Sequence, residues 1–375
     1  MTFPRVLLCS ASMLLAGTAI NADADQVVPA GSAAAEDHPA FMPPIQSAVI
    51  PVTASVQSSP PRVEQSLSDF VPLIRGEGLE GWVVQEGKSS AWSRTADAIT
   101  CSSATGGWLR TEASYSDFEL RFEYCLQAGG NTGIGLRSPP SGNPTFTSLE
   151  IQLLDDSAPK YANLRPDQYT GSVYYQIPAT QRAKLNPAGE WNRCLIVCRG
   201  DLITVTINGD LVNEIHLNRH QQGEASSEQP KPKYLLSQRP PIGHIALQSH
   251  STPIAFRKIE VKDLSVAAPS GLRYVELAAG DGEPVVTPRT VTVHYVGQLP
   301  DGKRFTDTRD LGAPVTVPVD NVISGWKEGI QGMKVGSRRR IIVPPSLAYG
   351  TDGIADLIPP DATLVFEVEL CGFEN

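Results

Sequence analysis

Residues 118–124 read Phe-Glu-Leu-Arg-Phe-Glu-Tyr, with Phe118, Leu120, Phe122 and Tyr124 alternating with Glu119, Arg121 and Glu123. A period of two belongs to a half-buried β-strand, because successive side chains point to opposite faces. Downstream, Leu202 to Ile207, then Asn208-Gly209, then Asp210 to Ile215 make a hairpin around a favoured two-residue turn. Ile242 to Gln248 and Ile254 to Val261 continue the strand theme, and no long segment carries the helical period. The stretch 67–265 therefore reads as an all-β, jelly-roll sandwich. A Gln/Ser/Pro-rich run over 218–241 interrupts it as a surface loop.

Composition agrees with turn-rich β domains. The chain has 375 residues, enough for two domains, and Gly 32 with Pro 31 excludes a helical bundle. A formal net charge of −9 argues against a nucleic-acid partner. Met1 to Arg5 carry one positive charge, Val6 to Ile20 are apolar or small, and Ala22-Asp23-Ala24 fits a small-x-small cleavage site. Residues 1–24 thus read as a signal peptide cut near Ala24, which implies a periplasmic or secreted protein. After cleavage no apolar run is long enough to cross a membrane. Residues 25–66 hold seven prolines and one aromatic, Phe41. They bury too little apolar surface to offset their ordering entropy, and read as a disordered linker.

Five cysteines remain beyond the leader: Cys101, Cys125, Cys194, Cys198 and Cys371. An odd number cannot pair completely. Cys194 and Cys198 lie roughly 13 Å apart if they share a strand, too far for a bridge. Buried free thiols, with room for one bridge, are expected. No zinc spacing is present.

A short linker, 266–271, precedes a compact unit at 272–375. Val291, Val293 and Tyr295 alternate with Thr292 and His294. Trp326, Ile330 and Met333 stand at i, i+4 and i+7, one face of a short helix. Leu364, Phe366, Val368 and Leu370 line a last strand. An antiparallel sheet wrapped on one short helix, α+β in class, is expected. Arg338-Arg339-Arg340 is the only basic run and reads as a solvated edge.

In order, this unit carries His294-Tyr295-Val296-Gly297, Asp301-Gly302-Lys303-Arg304-Phe305, Val322-Ile323-Ser324-Gly325-Trp326, Ala348-Tyr349-Gly350 and Ile358-Pro359-Pro360-Asp361-Ala362-Thr363-Leu364-Val365-Phe366. The series resembles the FKBP-type peptidyl-prolyl cis-trans isomerases. The resemblance implies an apolar pocket lined by Tyr295, Phe305, Val322, Ile323, Trp326, Tyr349, Ile358 and Phe366. Trp326 would be its floor, and the Ile323 amide and Tyr349 hydroxyl would bind ligand carbonyls. Turning an X-Pro bond breaks amide resonance, a barrier of ~18–20 kcal/mol, and needs no nucleophile, metal or cofactor. X-Pro-containing polypeptides are the implied clients. Three departures stand out. Thr306 replaces the family's Asp, with Asp307 one place later as a substitute after a small register change. Val315 and Val317 follow where aromatics are common, and Ile354 replaces a residue often polar or aromatic. A folded but inactive binding module is the alternative.

The sandwich carries a second series: Gly107-Trp108-Leu109-Arg110, Asp117-Phe118-Glu119-Leu120, Gly129-Gly130-Asn131-Thr132-Gly133-Ile134, Leu136-Arg137, Glu150-Ile151-Gln152-Leu153-Leu154-Asp155-Asp156, Gln168-Tyr169-Thr170-Gly171-Ser172, Glu190-Trp191-Asn192 and Ile207-Asn208-Gly209. It resembles the 3-keto-disaccharide hydrolase domain, whose fold is similar to concanavalin-like glucanases and lectins. Glu150 and Gln152 share one strand face, closed by Asp155-Asp156, and carboxylates there suit glycoside chemistry. A 3-keto group acidifies the neighbouring C–H, so a base and an enolate stabiliser would suffice for elimination. Glu150, Asp155 and His250 are candidate bases. Arg137, Asn131 and Lys160 are candidate oxyanion partners, and Tyr169 and Trp108 could stack on sugar. The alternatives are loop capping or calcium binding by Asp155-Asp156, and core roles for Trp108 and Trp191. The reading is an exported prolyl isomerase fused to a carbohydrate-directed domain. The rivals are a 3-keto-glycoside enzyme with an accessory isomerase domain, and a non-catalytic glycan or peptide binder.

Overall fold

A computed structural model describes residues 70–375, apart from 103, 220–235, 237–238 and 287. Residues 1–24, read as a leader, residues 25–66, read as a linker, and most of the loop expected over 218–241 lie outside the described residues.

The sandwich has two antiparallel sheets. The larger has eight strands, in the order Asp210–His216, Leu202–Ile207, Trp191–Arg199, Phe118–Leu126, Ile254–Asp263, Ala98–Cys101 and Trp92–Arg94, with Val71–Pro72 also on Ile254–Asp263. The smaller has five: Trp82–Gln85, Trp108–Thr111, His244–Gln248, Asn131–Ser138 and Leu149–Leu154. The alternation at 118–124 does what it predicts: Phe118, Leu120, Phe122 and Tyr124 are buried in one core shared by both sheets. Asn208 and Gly209 take φ of 51° and 94°, the left-handed pair that lets a two-residue turn follow the strands' twist. The five cysteines among the described residues are free, and of these only Cys371 is exposed.

The C-terminal unit is a seven-stranded antiparallel sheet ordered Val266–Ala267, Arg273–Ala278, Arg338–Val343, Leu364–Glu374, Thr290–Gln298 and Arg304–Asp307, with Val315–Pro318 also on Thr290–Gln298. The helix Ser324–Gly329 packs on it through Trp326, with Ile330 and Met333 just beyond. The stretch 266–271, read as a linker, is part of a hairpin: Val266 and Ala267 pair with Tyr274 and Arg273. A break between domains needs unpaired chain, and here the backbone hydrogen bonds run straight through.

The basic run also departs from expectation. Arg338–Val343 is an interior strand of the sheet, and Arg339 and Arg340 are buried. Alternation sends the three guanidiniums to separate partners. Arg339 donates to the carbonyls of Gly329 (2.6 Å) and Gln331 (2.9 Å), holding the helix end, and to Glu276 (2.7 Å). Arg340 turns to the sandwich and meets Asp117 at 2.7 Å, Ser116 at 2.8 Å and Glu367 at 2.5 Å. Arg338 stands 3.9 Å from Asp201. Ile242 packs with Ile342 and Val365 beside this network. Sandwich and C-terminal unit thus form one compact body, with a buried ion pair and an apolar contact at the junction.

Candidate functional sites

The five-stranded sheet carries a cleft of about 300 Å³. Along Leu149–Leu154, Leu149, Ile151 and Leu153 enter the core while Glu150 and Gln152 line the cleft. Gly133, on the neighbouring strand, makes room: a Cβ there would come within 2.5 Å of Glu150 Oε1. Glu150 is 1% exposed, and among the described residues no basic side chain lines the cleft with it apart from His250. Burial pushes its carboxyl up to about 7, with hydrogen bonds from Thr145 and Gln248 restraining the rise. Its Oε2 has no hydrogen-bond partner.

Around it, Gln152 Nε2 donates to Asn131 Oδ1 at 3.0 Å, fixing both amides. Trp108 Nε1 donates to Asn143 Oδ1 at 3.1 Å, and the same oxygen accepts the Thr145 amide at 3.0 Å, capping the short helix Pro144–Thr147. His250 lies at the rim; burial first, then Lys160, lower its imidazole, so it is neutral at pH 7. Tyr174 also lines the cleft, its phenol raised by burial and kept protonated. The site thus offers one buried carboxyl titrating near neutrality, a neutral imidazole, fixed amides and an indole edge.

The second site is aromatic. Trp326 is 4% exposed, and the Tyr295 and Phe366 rings stand edge-on to it at centroid distances of 4.9 and 5.6 Å. Phe305 meets Phe366 at 5.8 Å. Val322, Ile323 and Tyr349 pack partly buried against the same cluster, and Ile358 is buried in it. Ile323 holds the N-cap position of Ser324–Gly329, so its amide precedes the helix. Burial, with Tyr295 nearby, pushes the Tyr349 phenol up to about 12, keeping it a donor.

The family model of the FKBP-type peptidyl-prolyl cis-trans isomerases matches residues 282–371, and that of the 3-keto-alpha-glucoside-1,2-lyase-like domain matches residues 69–262, just over half of the chain. A probable FKBP-type peptidyl-prolyl cis-trans isomerase of Haemophilus influenzae is 34% identical over 161 residues, 43% of this chain and 67% of the relative. The chain belongs to both families. The FKBP-type isomerase FkpA of Escherichia coli is 42% identical over 116 residues, 31% of this chain, which spans only 43% of that relative. A putative glycosyl hydrolase structure from Parabacteroides distasonis aligns at TM-score 0.47 and 27% identity, over 52% of this chain and all of its own.

In the lyase-like domain the cleft gathers Asn131, Glu150, Gln152, His250 and Trp108. It does not gather the other sequence candidates. Arg137 lies at the far end of the strand that begins with Asn131, and donates to Ser116 O (2.6 Å) and Gly200 O (3.0 Å). Asp155 accepts the Gly129 amide at 2.7 Å and the Ser157 hydroxyl at 2.7 Å. Burial raises its carboxyl and those bonds outweigh it, so it stays ionised and engaged. Asp156 accepts from the Thr170 hydroxyl at 2.9 Å. Both acids are therefore loop caps. Lys160 stacks its ammonium 4.7 Å from the Tyr161 ring, and Tyr169 is buried under Arg182 with its hydroxyl on Tyr161 O at 3.1 Å. Trp191 is half-buried beneath Arg257, 4.0 Å from its ring. Sequence reasoning missed Tyr174, Asn143, Thr145, Gln248, Ser249 and the exposed Glu86; Tyr174-Tyr175, adjacent aromatics in a loop, was the one visible signal.

In the isomerase domain Asp307 does not take the place of the family's acid. It caps the 3-10 turn Thr308–Leu311 through the Arg309 amide at 3.0 Å and pairs with Arg304 at 3.2 Å. The strand register does shift here, between Gly297 and Gln298: Val296 faces Asp307 and Gly297 faces Thr306, but Gln298 faces Arg304, and the shift leaves the Asp307 carboxylate on its cap. Thr306 instead hydrogen-bonds the Tyr295 phenol, which burial otherwise raises.

Proposed function

We propose that the protein accelerates rotation of X-Pro bonds in polypeptide clients at the aromatic pocket, while its lyase-like cleft acts on a carbohydrate. The Trp326 floor, ringed by Tyr295 and Phe366, carries the first part. A prolyl ring seated on that indole places the twisting amide among apolar walls, where the orthogonal, less polar amide is favoured over the planar one. The Ile323 amide and Tyr349 hydroxyl anchor the flanking carbonyls. In a prolyl-isomerisation assay, Trp326→Leu, which keeps an apolar floor, lowers kcat/KM at least about tenfold, equivalent to 1.4 kcal/mol. Rates equal to wild type in a folded variant overturn the assignment.

The second part rests on Glu150, a buried carboxyl without a cation beside it. On a 3-keto glucoside, ionised Glu150 takes the C2 proton and the electron pair forms an enolate at the C3 oxygen. Expulsion of the C1 oxygen then completes the elimination, and the proton held on Glu150 is available to the departing group. The Asn131 amide, fixed by Gln152, faces the developing oxyanion. No cofactor enters this scheme. Reading residues 1–24 as a leader makes an exported setting part of the proposal, and sequencing the mature N-terminus checks it.

A further inference from the structure

A second concavity lies where the two domains meet, a crevice of about 360 Å³, within the range of small-molecule sites. Its walls carry six arginines: Arg137 and Arg239 from the sandwich, and Arg304, Arg309, Arg338 and Arg340 from the isomerase domain. The acids lining it are Asp201, Asp307 and Glu367, half as many.

The cations differ in how well they are matched. Arg340 is satisfied by Asp117 and Glu367, and Arg304 pairs with Asp307 at 3.2 Å. Arg309 looks to Glu369, which does not line the crevice, at 3.3 Å. Arg338 is 3.9 Å from Asp201, and its buried Nε has no hydrogen-bond partner. Arg137 is 3% exposed, and its Nη2 is likewise without a hydrogen bond. The nearest carboxylate to that Nη2, Asp117, is 3.7 Å away and already bonded to Arg340. Buried donors are normally satisfied, and one left over is destabilising until a partner arrives. Arg239 donates to Phe146 O at 3.0 Å and to Gln176 Oε1 at 3.1 Å. Two unmatched guanidinium N–H groups, on Arg137 and Arg338, on the walls of one small volume suit an oxyanion, whose several lone pairs accept more than one N–H at a time.

We propose that the junction crevice is a binding site for a small phosphate-type oxyanion, held jointly by arginines of both domains. Asn218 and Gln298, also on its walls, supply amides for the hydroxyls of a phosphorylated sugar. Free phosphate and a sugar phosphate share the anion chemistry. They differ in whether those amides are used.

Isothermal titration of the full chain tests this with inorganic phosphate, glucose 6-phosphate and uncharged glucose. Saturable binding of a phosphate compound is expected, with none of glucose. Arg309→Gln with Arg338→Gln, both partly exposed side chains, weakens it by about tenfold or more. Arg121→Gln, on the outer face of the sandwich, removes equal charge per site and leaves it unchanged. Thermal melts without ligand check that the variants fold; with ligand, the melting temperature of wild type rises and that of the double variant does not. Tighter binding of glucose 6-phosphate than of phosphate identifies the ester as the ligand, and equal binding identifies the free ion. No saturation by about 10 mM, or equal weakening in Arg121→Gln, overturns the proposal.

Discussion

The lyase-like cleft and the isomerase pocket are both backed by a hydrophobic core, yet their chemistry is written in different side chains. The cleft holds a carboxyl that titrates near neutrality. The pocket is walled by aromatic and aliphatic groups, and its two phenols are raised so that they stay protonated. Breaking a C–H bond requires somewhere for a proton to go, whereas turning an amide requires only surroundings that prefer the twisted form. The difference teaches that burial serves opposite ends in the two places: it tunes an acid in one and excludes water in the other.

The most severe way to break this comparison is Glu150→Gln. Elimination on a 3-keto glucoside falls by roughly 10²–10⁴-fold, the usual reach of a general base, while prolyl isomerisation is untouched. The same variant is more stable than wild type at pH 8. A carboxyl raised from 4.5 to about 7 in the folded protein favours folding only while protonated, so its contribution is lost as pH rises through 7. That difference is up to about 3 kcal/mol by denaturant titration.

Asp117 sharpens the contrast. It is as buried as Glu150, and burial alone would raise it too, but Arg340 and Arg137, with Ser116 and Gly200, bring it below the usual carboxylate range. Its stabilisation is present at neutral pH and lost as pH falls below about 4. Asp117→Asn leaves the buried Arg137 without a carboxylate and Arg340 with Glu367 alone, and costs about 3–5 kcal/mol in equilibrium unfolding. One buried acid is thus free to react and the other locks the domains together. A smaller effect is expected at Thr306→Val, which removes the partner of the Tyr295 phenol. Loss of about 1 kcal/mol there lowers isomerisation roughly fivefold.

Strand alternation and ordered motifs made both folds readable, and five cleft residues came from the same reading. The failures share a cause. Arg137 and Asn131 share a strand, but the strand is long enough to carry them to opposite ends of the sheet. Asp155 and Asp156 follow Glu150 in sequence but leave the strand, and their carboxylates turn back to cap loops. Tyr174 and Asn143 reach the cleft from loops, where no period predicts direction. The arginine run looked exposed because charge usually is; its burial depends on Asp117, over 200 positions away, and on Glu276 and Glu367. Such partners are set by tertiary pairing rather than by local pattern.

The most direct measurement is the pH profile of both activities on one preparation of the full chain. Elimination should climb through a single step near pH 7 as Glu150 ionises, while prolyl isomerisation stays flat from pH 6 to about 8. Two flat profiles, or a step shared by both activities, would contradict the assignment of a titrating base to the cleft alone.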